Sequence, residues 1–197
     1  MNDNQKVDRT RRNLVVATSV AGGAASLGAA IPFVASMLPS ERVKAAGAPV
    51  EVDISGIAPG EMKIFEWRGK PVWVIRRTKE MVESLKAAAS RLTDPGSSAS
   101  QQPEYAKNEY RSLKPEVMVV EGVCTHLGCS PQIKSADAKA EMGADWAGGF
   151  YCACHGSKFD LAGRVFRGAP APTNLTVPPY VFLSESTLLI GDEKKGA

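Results

Sequence analysis

Cys124-Thr125-His126-Leu127-Gly128-Cys129 and Cys152-Ala153-Cys154-His155-Gly156-Ser157 hold every cysteine and both histidines of the 197-residue chain. A Cys-x-His pair followed by a Cys-x-x-His pair offers two thiolates and two imidazoles. That is the ligand count of a two-iron, two-sulfur centre in which histidines serve one of the irons. Spacing alone leaves some choice among the four cysteines. The same donors suit a structural zinc site, although closed zinc sites usually pair cysteine with cysteine and histidine with histidine at short spacing. Two disulfides beside incidental histidines would suit a small secreted domain, but this chain is long enough for a head with its own core. Gly128 and Gly156 fit tight turns that bring backbone amides close to sulfur.

The two boxes resemble those of the Rieske iron-sulfur subunits of ubiquinol:cytochrome c oxidoreductases, the cytochrome bc complexes of respiratory membranes. The likeness extends to a basic N-terminus, one apolar segment, a linker and a late Gly168-Ala169-Pro170-Ala171-Pro172 run. It implies one [2Fe-2S] cluster per chain, with Cys124 and Cys152 on one iron, His126 and His155 on the other, and a disulfide between Cys129 and Cys154. It implies that the Ser157 hydroxyl donates to a bridging sulfide and raises the potential by favouring the more negative reduced cluster. It makes His155 and His126 the catalytic pair. His155 contacts ubiquinol in a pocket of the cytochrome b subunit, His126 shares the exposed tip, and a c-type cytochrome subunit receives the electron. The proline run is expected to cover the cluster, and the whole to work within a dimeric multi-subunit complex.

One position departs from the pattern: Phe159 stands where many respiratory members carry a tyrosine whose hydroxyl bonds a cysteine ligand sulfur. Leu127 either projects at the tip as an apolar docking contact or lies against the proline run. Lys158 either acts on potential and docking or is simply solvated. Two other functions use the same boxes or the same donors: an electron relay for another exported oxidoreductase such as an arsenite-oxidising enzyme, and a membrane-tethered zinc-binding interaction module.

Composition narrows the classes further. With 44% hydrophobic and 23% charged residues the chain is not disordered, and a net charge of +3 without a basic stripe interleaved with aromatics gives no reason to expect nucleic acid. Cysteines divided between ligands and a disulfide imply an oxidising compartment for the head.

Residues 1–13 carry Lys6, Arg9, Arg11 and Arg12 and read as a cytoplasmic tail, in which Thr10-Arg11-Arg12-Asn13-Leu14-Val15 resembles a twin-arginine export signal. From Asn13 to Ser40 there is no charged side chain, so residues 14–38 are long enough for a transmembrane anchor, with Pro32 expected to kink it. Basic residues ahead of the span put the N-terminus in the cytoplasm and the head in the periplasm of a bacterial inner membrane. Ala46-Gly47-Ala48 has the small residues of a cleavage site, but Glu41, Arg42 and Lys44 separate it from the apolar run, so the anchor is expected to stay. Residues 39–49 read as a hinge linker.

The head, residues 50–197, is expected to be an all-β Rieske-type fold of antiparallel sheets with one helix and a small cluster-binding subdomain at about 120–175. Strand signals cover Val50 to Ile54, Met62 to Trp67, Pro71 to Arg76, Glu116 to Val123, Tyr180 to Leu183 and Thr187 to Ile190. Apolar residues at helical spacing predict a helix over Thr78 to Leu92, ended by Asp94-Pro95-Gly96. Ser130 to Gly149 reads as a surface insertion.

Overall fold

The computed structural model describes residues 8–40, 43, 47–99 and 102–192. Part of the hinge linker, the start of the basic tail and the charged C-terminal tail lie outside the described residues. The chain divides into two units, residues 1–45 and 46–197.

The first unit is helix α1, Arg9–Ser36, with the Asp8 carboxylate accepting from Thr10 N and Arg11 N as its N-cap. Helical structure therefore starts inside the stretch expected to be tail, at the arginine pair. None of its side chains is buried, and Thr18, Ser26 and Ser36 donate their hydroxyls back to carbonyls of their own helix. Those three hydroxyls are satisfied within the helix itself, as suits a helix in lipid. Among the described residues α1 is the one helix long and apolar enough to cross a membrane.

The second unit bears out the all-β expectation with, among the described residues, three antiparallel sheets of three strands each. β1 (Val50–Asp53), β9 (Thr187–Ile190) and β8 (Tyr180–Phe182) form the first, in that order. β2 (Met62–Trp67), β3 (Lys70–Arg76) and β4 (Val117–Glu121) form the second, and β5 (Gln132–Lys134), β6 (Gly149–Cys152) and β7 (Ser157–Phe159) the third. β2 and β3 meet through a two-residue turn, Arg68-Gly69, whose φ angles of 54° and 70° are both left-handed, as a tight hairpin of right-twisted strands demands. All five residues of β4 are buried, so its continuous Val117-Met118-Val119-Val120 run has a partner on each face. Trp73 of β3 stacks on Phe150 of β6 at 5.0 Å, which locks the second sheet to the third. A Cβ at Gly122 would overlap the same indole, so only glycine lets the chain leave β4 past Trp73.

The predicted helix is α2, Lys79–Ala88, continued by one 3-10 turn to Arg91. Thr78 caps it, accepting from Met81 N at 3.3 Å, and Leu85, Ala88 and Leu92 are buried. Residues 130–149 lie mostly at the surface, as expected of an insertion, but they are not unstructured. They supply the edge strand β5, a four-residue helix α3 (Lys139–Met142) and the buried Met142 and Trp146. The Trp146 indole donates to Ser135 O at 2.9 Å and tilts against Phe166, so a segment whose surface is mostly exposed is anchored by two buried side chains.

Tyr105 and Tyr180 link the polar stretch before β4 to the last sheet. The Tyr105 hydroxyl serves both backbone groups of Tyr180, and the buried Tyr180 phenol accepts from Leu113 N at 3.0 Å. Burial pushes the Tyr180 phenol from its ordinary 10.0 up to about 12. The folded head keeps a proton that the unfolded chain gives up, so this group takes stability away as pH rises from 10 toward 12. Tyr180→Phe is expected to be less stable than the parent at neutral pH and to close that gap by about 2–3 kcal/mol in strong alkali. Denaturant titrations of both proteins across that pH range read the difference.

Candidate metal centre

Both cysteine-histidine boxes form the same kind of loop. In the first, after β4, Cys124 N donates to Cys129 O at 2.7 Å and Gly128 N to Cys124 O at 2.9 Å. In the second, the hairpin between β6 and β7, Cys152 faces Ser157 and Gly156 N donates to Cys152 O at 2.9 Å. Gly128 and Gly156 take φ of 83° and 82°, a left-handed turn at the same place in each loop. The two loops differ at the closing position, which is Cys129 in one and Ser157 in the other.

These loops bring together the residues singled out in the sequence. Cys129 and Cys154 are joined in a disulfide with Cα atoms 6.8 Å apart. Cys124 and Cys152 are free thiols, each 2% exposed and close enough to act on one another. Burial, chiefly, and then the neighbouring Cys124 thiol push the Cys152 pKa up, while backbone amides of Cys154 and His155 directed at its sulfur pull the other way. The two imidazoles meet edge to face with centroids 4.7 Å apart. His126 Nδ1 is buried without a hydrogen-bond partner, a costly position for a polar nitrogen unless something else binds it. His155 is exposed and His126 half-buried, and Leu127 beside them is 70% exposed, so it projects rather than lying under the proline run.

Two soft thiols out of water, amides aimed at sulfur and an orphaned imidazole nitrogen next to a second imidazole fit a [2Fe-2S] centre with mixed ligands. The zinc alternative asks for the same four donors.

The surroundings add contacts that the sequence did not reveal. Ser157 is fully buried and accepts from Ala171 N at 3.0 Å, so its hydroxyl proton remains available to an acceptor at the centre. Thr125 donates to Thr173 O at 2.7 Å, so each box holds the Gly168–Thr173 segment at one point. Neither bond leaves a signal in the sequence, because both join segments far apart in the chain. Lys158, read as solvated or active in docking, instead donates to Met142 O at 2.7 Å and ties the second box to the end of α3. Phe159 is fully buried in β7, packed in the same cluster of core residues as Cys124 and Cys152.

Behind the second box lies a buried cationic cage. Asp160 accepts from Ala162 N, Arg164 N and Arg164 Nε at 2.8–2.9 Å. Arg164 also donates to Leu85 O and Pro95 O, Arg77 to Leu161 O and Tyr110 O, and Arg111 to Ala162 O and Leu175 O. Burial pushes the Arg77 and Arg111 guanidinium groups down to about 10, against the pull of Asp160. They remain charged at neutral pH, and their hydrogen bonds fix the path of residues 160–164.

Comparison with known proteins supplies what geometry leaves open. Residues 95–180 match the Rieske [2Fe-2S] domain, and residues 1–40 the twin-arginine signal region of the ubiquinol-cytochrome c reductase Fe-S subunit. The chain is 53% identical over 194 residues to a ubiquinol-cytochrome c reductase iron-sulfur subunit of Allochromatium vinosum, covering 98% of this chain and 94% of that protein. It is 40% identical to the subunit of the same name from Blastochloris viridis, covering 97% and 98%. A chain of a hyperthermophilic respiratory complex III aligns with a TM-score of 0.47 and 27% identity over 88% of this chain and 98% of that one.

Proposed function

The chain belongs to the family of ubiquinol-cytochrome c reductase iron-sulfur subunits, and from that premise we propose that Cys124 and Cys152 hold one iron of its [2Fe-2S] cluster and His126 and His155 the other. The observation that carries this assignment is the pairing of two buried free thiols with two touching imidazoles, one of them orphaned at Nδ1. When bound, the cluster supplies a one-electron acceptor that can pass the electron on.

The chain's own residues do the rest. His155, the exposed imidazole, hydrogen-bonds the hydroxyl of ubiquinol in a pocket of the cytochrome b subunit, and Leu127 beside it makes the apolar docking contact. An added electron next to the imidazoles makes them more basic, so the proton of the quinol follows the electron. Ala171 and the flanking prolines, held by Ser157 and Thr125, keep water off the sulfur side. The disulfide keeps the two ligand loops in register. A c-type cytochrome subunit then receives the electron. The head works in the periplasm, tethered through the bacterial inner membrane by α1 with its N-terminus in the cytoplasm, within a dimeric multi-subunit complex.

The direct test is purification of the native complex. Cytochromes b and c are expected to co-purify with the chain, and quinol is expected to reduce the cluster. A chain that purifies without either cytochrome and is not reduced by quinol contradicts the reading. Above the pH at which an oxidised-form histidine titrates, the midpoint is expected to fall by about 59 mV per pH unit, one proton per electron. A potential flat across alkaline pH rules out the coupled proton.

Phe159 gives a separate expectation. A hydroxyl at that ring end would donate to a ligand sulfur and favour the more negative reduced state. Phe159→Tyr is therefore expected to raise the midpoint, read by redox titration of the full chain. An unchanged value means the ring end does not reach sulfur.

A further inference from the structure

The Sγ atoms of Cys129, Cys152 and Cys154 all lie within 4.8 Å of one another. Two of them are already bonded, and the third belongs to a free thiol. Cys124, the other free thiol, lies outside this trio. A thiol held that close to a disulfide is within reach of thiol–disulfide exchange, which needs only access to a sulfur and a leaving group.

We infer that Cys152 attacks the Cys129–Cys154 disulfide whenever no metal holds its sulfur, so that losing the cluster rewires the covalent clasp of the site. The inference rests on the reading of Cys152 as a cluster ligand, since ligation is what keeps this sulfur occupied. In the step, Cys152 gives its proton to water and its sulfur bonds Cys129 Sγ. The Cys129–Cys154 bond breaks, its electron pair goes to Cys154 Sγ, and that sulfur takes up a proton. One S–S bond forms and one breaks, so no oxidant or reductant is consumed.

Burial decides which sulfur is attacked. Cys154 is exposed and Cys129 half-buried, so expelling Cys154 places the leaving thiolate in water, whereas expelling Cys129 strands it in the protein. Attack at Cys129 also keeps the two loops fastened, because Cys152 sits two residues before Cys154 on the same loop. Attack at Cys154 would close a small ring within Cys152-Ala153-Cys154 and release the first loop. The exchanged head keeps its fold and a disulfide, but one ligand sulfur is consumed. Such a head cannot take a cluster again until a thiol reductant reopens it, and a disulfide that closes before the cluster arrives runs the same risk.

The experiment uses the full chain in detergent. Its iron is removed by a chelator without thiol reagents, and the protein is held in mildly alkaline buffer for hours, the ordinary timescale of uncatalysed rearrangement. It is then denatured in excess iodoacetamide, and peptide fragmentation shows which cysteines are labelled. The untreated chain is expected to be labelled at Cys124 and Cys152. The chelated chain is expected to carry the label at Cys124 and Cys154, with Cys129 linked to Cys152 and Cys154 labelling up about tenfold. Chelated Cys152→Ser is expected to keep its original disulfide, and chelated Cys124→Ser to exchange like the parent. Label that stays on Cys152 after chelation overturns the inference. So does Cys124 entering disulfides as often as Cys152, which is general scrambling. An untreated chain without iron would instead sink the cluster reading, while the labelling pattern still reports on exchange.

Discussion

Cys152→Ser is expected to yield a colourless head, with the electron paramagnetic resonance signal of the reduced cluster absent and quinol oxidation by the complex at background. A serine hydroxyl holds its proton far more tightly than a thiol and is a poor partner for iron, so on the proposed ligation the replacement removes a ligand without making room for another. Cys152 is also the residue whose sulfur receives the amides of Cys154 and His155, so the change leaves two donors aimed at nothing. Iron and labile-sulfide analysis of the purified variant checks the loss. Full iron content with an unaltered signal would mean that another of the four cysteines serves in its place. Ser157→Ala gives the contrast: the cluster stays, and the midpoint falls by roughly 65–130 mV, the scale of one hydrogen bond to a charged acceptor. The variant also frees Ala171 N, so the Gly168–Thr173 segment is expected to loosen at that point.

The second large effect is on stability. Asp160→Ala is expected to cost about 3–5 kcal/mol, because it leaves the buried Arg164 guanidinium without its carboxylate and removes the acceptor for two backbone amides. Arg77 and Arg111, already pushed down by burial, lose the nearest charge that opposes the push. At about 2–4 °C per kcal/mol for a unit of this size, the melting temperature of the full chain should drop on the order of 10 °C. Scanning calorimetry of parent and variant reads it. A drop of only a degree or two would mean that the guanidinium groups are satisfied by their carbonyl partners alone.

The site was more legible than its surroundings, and the reason is physical. Cys124, His126, Cys152 and His155 announce themselves because metal donors are rare and their spacing within a loop is local. The hairpin at Arg68-Gly69 and the helix capped by Thr78 were likewise visible, since turn chemistry and apolar periodicity act over a few residues. What stayed hidden depends on distance along the chain. Nothing in the sequence says that Thr125 reaches Thr173, that Lys158 reaches Met142, or that Arg77 and Arg111 would be buried among carbonyls of residues 161–163. In residues 130–149 charge rightly predicts exposure, but the sequence does not say that Met142 and Trp146 anchor the segment to the core. Leu127 could not be placed from sequence, because its exposure depends on a proline run more than 40 residues later.

The most direct measurement is the Mössbauer spectrum of the purified, iron-57-enriched full chain after one-electron reduction. Mixed ligation predicts two inequivalent irons in equal amounts, a ferrous site with nitrogen ligands and a ferric site in an all-sulfur environment. Two irons in like, all-sulfur surroundings, or a chain that binds zinc and no iron, would contradict it.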